Sequence, residues 1–204
     1  GVLLMGAHHG NEKPSFEVMI FYIKYLLERY SMNNTDDDND GKTNEDIIDG
    51  IDNDSDGLID EDPSEDRVRD IINNTQIYII PMVNPDGVEA NSRKNCVPNH
   101  GWFGKRKTVT SYGVNLNRNY GYDWHLYKTR PLRFHLFSNM RDYHPNYRGP
   151  YPFSENETTA VKEFVENTSL SISLSYHCFG SIIFYPWFHT GQPTPDHETF
   201  MSVG

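Results

Sequence analysis

Histidine and glutamate three residues apart, in His9-Gly10-Asn11-Glu12, can turn an imidazole and a carboxylate toward one ion from a single turn of chain. Alone the pair is weak: 9 His and 12 Glu in 204 residues supply about half such a pair by chance. A polar turn leading into a helix, with Glu12 favoured at the positive end, explains it as well. A third residue changes the reading. His177 follows Ile172-Ser173-Leu174-Ser175-Tyr176, so its ring emerges at a strand end. Two His and one Glu leave a fourth zinc position open for water, which suits catalysis rather than a closed structural site. His8, His100, His125, His135, His144, His189 and His197 have no comparable setting and read as surface or loop residues.

These three ligands need elements to carry them. Val2 to Ala7 is a short apolar run that reads as a buried strand, and His8 to Glu12 is a polar turn. Pro14 suits a first helical turn. Phe16, Met19, Ile20, Ile23, Leu26, Leu27 and Tyr30 then form one apolar face, which predicts a helix from Lys13 to Tyr30. Ile77 to Val83 reads as a second strand. Asn84 to Pro152 is rich in Asn, Gly, Pro, Tyr and Arg with little periodicity, and such long stretches are usually functional. Ser154 and Glu157 form an S-x-x-E capping box, predicting a helix from Glu155 to about Glu166. Leu170 to Tyr176 and Ile182 to Tyr185 read as further strands. The order predicts an α/β domain with a mixed, mostly parallel central sheet flanked by helices. In such sheets ligands bind at the carboxyl ends of strands, where His9, Glu12 and His177 fall.

Three further motifs lie between the two halves of this metal constellation. They are Asn84-Pro85-Asp86-Gly87, Arg93-Lys94-Asn95 and Gly113-Val114-Asn115-Leu116-Asn117-Arg118-Asn119-Tyr120. In that order they resemble the zinc metallocarboxypeptidases of the carboxypeptidase A type, with bacterial carboxypeptidase T the nearer match. The resemblance runs from residue 1 to about residue 190. It implies that His9, Glu12 and His177 are the zinc ligands, with Arg93 polarising the scissile carbonyl and stabilising the oxyanion. It also implies that Asn117 and Arg118 grip the substrate's terminal carboxylate. The chemistry agrees independently. A planar guanidinium binds a carboxylate through two parallel hydrogen bonds, and a fixed cation beside a metal is where a tetrahedral oxyanion needs one. Asn84-Pro85-Asp86-Gly87 reads as structural turn chemistry. Tyr147-Arg148-Gly149-Pro150 also resembles a family stretch and is given no catalytic role.

Two departures accompany the resemblance. The family usually has Asp where this chain has Asn115, the residue that accepts a hydrogen bond from the first His ligand. Asn still accepts, but leaves the imidazole a weaker donor to the metal, and such changes typically cost about 10 to 100-fold in affinity or activity. The family's general-base Glu and a substrate-capping Tyr are expected well downstream of the last ligand. Glu198, the only Glu after His177, falls too soon to match. The chain is therefore expected to be a partial catalytic domain over 1–204, incomplete at both ends and lacking the base. Its opening Gly1-Val2-Leu3-Leu4-Met5 reads as the middle of a strand, and Met201-Ser202-Val203-Gly204 stop without a closing element.

The net charge of −11 is concentrated in one place. Between Asp36 and Asp66 stand 15 acids and one base, Lys42, a net of −14 that leaves +3 elsewhere. Asp52-Asn53-Asp54-Ser55-Asp56-Gly57-Leu58-Ile59-Asp60 is D-x-D-x-D-G-x-x-D, and Asp36-Asp37-Asp38-Asn39-Asp40-Gly41 begins the same way. Carboxylates at alternate positions with Gly at a sharp turn wrap calcium in oxygen ligands. An inserted calcium-binding loop over 33–66 is expected, with Asp36, Asp38, Asp40, Asp52, Asp54, Asp56 and Asp60 as ligands. Without the ion a segment this acidic is expected to be disordered.

The composition excludes several classes. There is no basic stripe for nucleic acid, and no apolar run approaches the roughly 18 residues of a membrane span. Mean hydropathy is −0.69, on the polar side for a globular chain. Cys96 and Cys178 are the only cysteines, as compatible with one bridge as with two free thiols. The expected function is a zinc-dependent carboxypeptidase that hydrolyses the C-terminal peptide bond of peptides or proteins through a zinc-activated water. The calcium loop suggests an extracellular, secreted setting. The alternatives are a catalytically degenerate, calcium-dependent adhesion or binding domain on the same fold, and a zinc amidase acting on cell-wall peptides.

Overall fold

A computed structural model describes residues 1–31, 65–95, 113–125, 144–178, 182–187 and 192–203. The expected calcium ligands Asp36, Asp38, Asp40, Asp52, Asp54, Asp56 and Asp60 lie outside the described residues, as does Cys96.

The described strands are β1 (Val2–Met5), β2 (Ile77–Ile80) and β3 (Ile172–Ser175). They pair in the order β2-β1-β3, both pairings parallel. Val2 stands level with Ile77 and Ile172, and Met5 with Ile80 and Ser175. The apolar run of β1 is what a doubly flanked central strand requires, and Leu3, Leu4 and Met5 are all buried. Leu3 and Met5 share one face and join Val83, Leu116 and Val161 in a core cluster, onto which Tyr78, Ile80, Tyr120, Phe164 and Leu170 pack. Alternation turns Leu4 to the opposite face.

Helix α1 (Pro14–Ser31) begins at the proline. Its apolar face is narrower than the sequence pattern. Met19 and Leu26, seven residues apart, are buried, while Ile20 and Leu27 are exposed. Helix α2 (Glu65–Asn74) packs against α1 and was not anticipated, because the acidic run preceding it hides its short apolar spacing of Val68, Ile71 and Ile72. Asn84 opens a short helix α3 (Pro85–Glu89).

Helix α4 (Asn156–Asn167) lies where expected but is not capped as expected. Ser154 Oγ accepts from Asn119 Nδ2 at 2.9 Å and donates to Glu155 Oε1 at 2.7 Å, and it accepts from no helix N–H. Asn119 ties down the head of the helix instead: its Oδ1 accepts from the N–H of the N-cap residue Glu155 at 3.3 Å and from the Thr158 hydroxyl at 2.6 Å. A side chain from the loop before α4 thus replaces the local box.

One expectation fails outright. Ile182 to Tyr185 is not a strand; Ile182, Ile183 and Phe184 are exposed. Their β-propensity finds no ladder, since among the described residues β3 pairs only with β1. Met201 to Val203 finish helix α5 (His197–Val203), against which Tyr185 stacks through Phe200. Among the described residues no helix is long and apolar enough to cross a membrane.

Candidate metal centre and the loops that frame it

The site begins where β1 ends. Ala7 adopts φ 50°, unusual for a residue with a Cβ, and it is fully buried. Such backbone costs about 1 to 3 kcal/mol and persists only when its surroundings fix it. Here the Ala7 N–H donates to Ser15 Oγ at 3.0 Å and its carbonyl accepts from the Asn84 N–H at 3.1 Å. The turn that follows presses Gly10 against Gly87 so closely that a Cβ on Gly10 would lie 1.9 Å from the Gly87 carbonyl carbon. Asn84-Pro85-Asp86-Gly87 is therefore more than a turn. Asn84 is fully buried, caps α3 by accepting from the Gly87 N–H at 2.9 Å, and donates to the His8 carbonyl at 3.1 Å.

His9, Glu12 and His177 converge. His9 Nδ1 is 2.8 Å from Glu12 Oε1, and His177 Nδ1 is 2.9 Å from Glu12 Oε2. One donor atom from each lies within 4.8 Å of the others. His9 and Glu12 are buried, while 30% of the His177 side chain is exposed, so the cluster opens on that side.

The hydrogen bonds around His9 test whether a metal ion fits. Asn115 Nδ2 donates to the Pro145 carbonyl at 3.2 Å, which fixes the amide. Its Oδ1 then faces His9 Nε2 at 3.1 Å, so Nε2 carries the proton. Nδ1 is left with a lone pair aimed at a carboxylate. Two such atoms at 2.8 Å need a cation between them, either a proton or a metal. Burial, then the Arg93 charge and His177, outweigh the pull of Glu12 and lower His9 to about 4, so a proton is not held at neutral pH. Burial pushes the Glu12 carboxyl up, but His9, His177 and the Cys178 N–H at 3.2 Å outweigh it and hold the group below the usual carboxylate range. A carboxylate with two imidazoles is a donor set that fits zinc.

The loop residues arrive at the same place. Arg93 Nη1 donates to Glu12 Oε1 at 3.1 Å, with about a third of the side chain exposed. A 3-10 turn, Leu116–Arg118, is anchored by the fully buried Leu116. From it Asn117 Nδ2 reaches within 3.3 Å of His177 Nε2, and Arg118 Nη1 donates to the Asn117 carbonyl at 2.9 Å. Of the expected residues, His9, Glu12, His177, Arg93, Asn115 and Asn117 are joined by direct contacts, and Arg118 is joined through Asn117. Glu198 stands exposed in the first turn of α5.

One residue read as surface or loop belongs here. His8 is 2% exposed. Its Nε2 is 2.8 Å from the Tyr120 hydroxyl, its Nδ1 is 3.0 Å from Ser175 Oγ, and its ring stacks on His177 at 5.9 Å between centroids. Burial, then the neighbouring His177 and His9, lower it to about 3. The available sign was the doublet itself: two histidines directly after a buried strand cannot both reach solvent. His125 is exposed, His144 accepts from the Asn146 N–H at 3.1 Å and His197 bonds Tyr185 at 3.1 Å, as peripheral residues do.

Comparison with known proteins gives the family and the fold. The family model Peptidase_M14, zinc carboxypeptidase, matches residues 1–204. The human mast cell carboxypeptidase A is 27% identical over 139 residues, 65% of this chain and 30% of that protein. Zinc carboxypeptidase A 1 of Anopheles gambiae is 30% identical over 145 residues, 69% of this chain and 30% of that protein. The chain thus spans about a third of the length of these curated relatives. The crystal structure of carboxypeptidase A from Helicoverpa armigera superposes with a TM-score of 0.64 at 19% identity, covering 100% of this chain and 39% of that one, a likeness of fold. By its full-length match to the family model and by its α/β fold, the chain belongs to the zinc carboxypeptidase family.

Proposed function

We propose that this chain carries the metal- and carboxylate-binding part of a zinc metallocarboxypeptidase that hydrolyses the C-terminal peptide bond of a peptide or protein. The observation that carries the reading is the convergence of His9, Glu12 and His177 on one point, with Arg93 on the edge of Glu12.

In this reading His9 and His177 offer their Nδ1 atoms and Glu12 its carboxylate to the zinc. When bound, zinc polarises a carbonyl and lowers the pKa of water. The chain's own residues do the rest. Asn115 holds His9 in the tautomer that leaves Nδ1 bare. Arg93, partly exposed, offers its remaining N–H groups to charge developing on the carbonyl oxygen beside the metal. Asn117 and Arg118 stand on one short turn next to His177, where they would grip the terminal carboxylate and so select exopeptidase substrates.

Zinc content, and hydrolysis of a blocked dipeptide with a free C-terminus against its amide, test the reading in protein that includes the expected general-base glutamate. One zinc per chain, cleavage of the free acid only, and weakened zinc binding with loss of activity in His177→Ala are expected. Folded protein without zinc would defeat the ligand assignment.

A further inference from the structure

The three metal-facing side chains are not held equally. His9 is buried and has Asn115 on its outer nitrogen. His177 is the most exposed of the three, and it lies beyond the last residue of β3. Something must fix its ring if Nδ1 is to stay aimed at the cluster, because an outer hydrogen bond sets both tautomer and orientation of a ligating imidazole.

Ser175 is placed to do this. It lies two residues before His177, so on extended chain both side chains leave the same face. Ser175 Oγ is 3.3 Å from His177 Nε2 and 3.0 Å from His8 Nδ1, and His8 Nε2 is 2.8 Å from the Tyr120 hydroxyl. The groups make a chain with one consistent sense. For His177 Nδ1 to carry a lone pair, Nε2 must carry the proton. Ser175 Oγ accepts it and donates its own to His8 Nδ1. His8 Nε2–H then donates to the Tyr120 oxygen. Asn117 Nδ2, also 3.3 Å from His177 Nε2, is a donor and cannot bond that nitrogen once it is protonated.

We propose that His8 and Ser175 are positioning residues that orient His177 for metal binding, with Tyr120 anchoring the far end of the relay. The proposal rests on the assignment of His177 as a metal ligand. It gives a purpose to a buried histidine that touches no partner in the donor triad through hydrogen bonds of its own.

Chelator competition for zinc separates the possibilities, using wild type, His8→Phe, His8→Asn, Ser175→Ala, His177→Ala and the double variant His8→Phe/His177→Ala. His8→Phe keeps ring bulk and removes both hydrogen bonds. His8→Asn keeps an acceptor for Ser175. We expect His8→Phe and Ser175→Ala each to weaken zinc by about 10 to 100-fold, with His8→Asn recovering most of that. With His177 already absent, His8→Phe should change zinc affinity less than about twofold, since coupled residues are non-additive. Ser175 is exposed at a strand end, so its variant reports even where His8→Phe does not fold. Wild type without zinc overturns this proposal together with the ligand assignment. Zinc-binding wild type with unchanged variants overturns the proposal alone. Equal losses with and without His177 mark a merely structural role and overturn it as well.

Discussion

Asn115 Oδ1 sits 3.1 Å from His9 Nε2 while the opposite end of the same amide is tied to the Pro145 carbonyl at 3.2 Å. The two bonds make Asn115 a one-way acceptor and a swap to Asp a mixed change. A carboxylate pulls harder on the imidazole proton and makes His9 a better donor to zinc. It also faces the Pro145 carbonyl oxygen with no proton to offer, in a fully buried position. Asn115→Asp is therefore expected to bind zinc more tightly in chelator competition and to melt at a lower temperature when metal-free. Asn115→Leu should weaken zinc by about 10 to 100-fold. Unchanged affinity in both variants would remove Asn115 from the account.

Arg93 shares Glu12 Oε1 with His9. It is a cation beside the proposed metal, so losing it should not weaken zinc binding. What should fall is turnover. Arg93→Gln is expected to lower kcat/KM by about 100 to 1,000-fold, the usual cost of one oxyanion donor, while zinc content stays at wild-type level. Simultaneous loss of zinc would mean that Arg93 holds the ligands rather than the transition state.

The buried imidazoles set an acid limit on the metal-free protein. Burial above all holds His8 at about 3 and His9 at about 4, against 6.5 for the free side chain. Below pH 6.5 the unfolded chain binds two protons that the folded chain refuses until pH nears 4 and then 3. Stability linked to these groups is complete above pH 6.5 and is lost as pH falls through that window. Glu12, held below its usual range, acts with the same sign at lower pH. The urea midpoint of metal-free protein is expected to decline steadily from pH 6.5 to pH 4. The slope should be smaller in His8→Phe. A midpoint that stays flat over this range would contradict the burial of both rings as neutral groups.

Asn119 carries no chemistry, yet it should be the costliest loop residue to lose. It is fully buried, donates to the Arg148 carbonyl at 2.7 Å and to Ser154 Oγ at 2.9 Å, and its oxygen accepts from the Glu155 N–H and the Thr158 hydroxyl at the head of α4. Asn119→Ala orphans several buried partners at once, and about 2 to 4 kcal/mol of stability should go with it. Urea unfolding measures this directly. A loss under about 1 kcal/mol would show that water replaces the amide.

The parts legible in the sequence were those governed by local chemistry. The apolar run of β1, the proline at the head of α1 and the placement of His9, Glu12 and His177 at strand ends all follow from neighbours within a few residues. What was not legible depended on distant partners. Ile182 to Tyr185 has strand residues but no ladder. The Ser154 and Glu157 box failed because Asn119 took the Ser154 hydroxyl. His8 looked like a bystander because its partners, Tyr120 and Ser175, stand 112 and 167 residues away. Helix α2 was hidden by the charge density before it, which drew the reading toward ion binding.

The level register of Met5 with Ser175 makes the proposed metal site a gauge of correct strand assembly. Slipping β3 by one residue along β1 would carry the His177 ring about 3.3 Å away and turn it to the other side of the sheet. Such a chain keeps its strand and loses its donor triad. An ion that binds only the aligned form draws the population toward it by mass action. Zinc supply during synthesis would then act as a proofreader, selecting chains whose two most distant ligand-bearing segments have met in the right alignment.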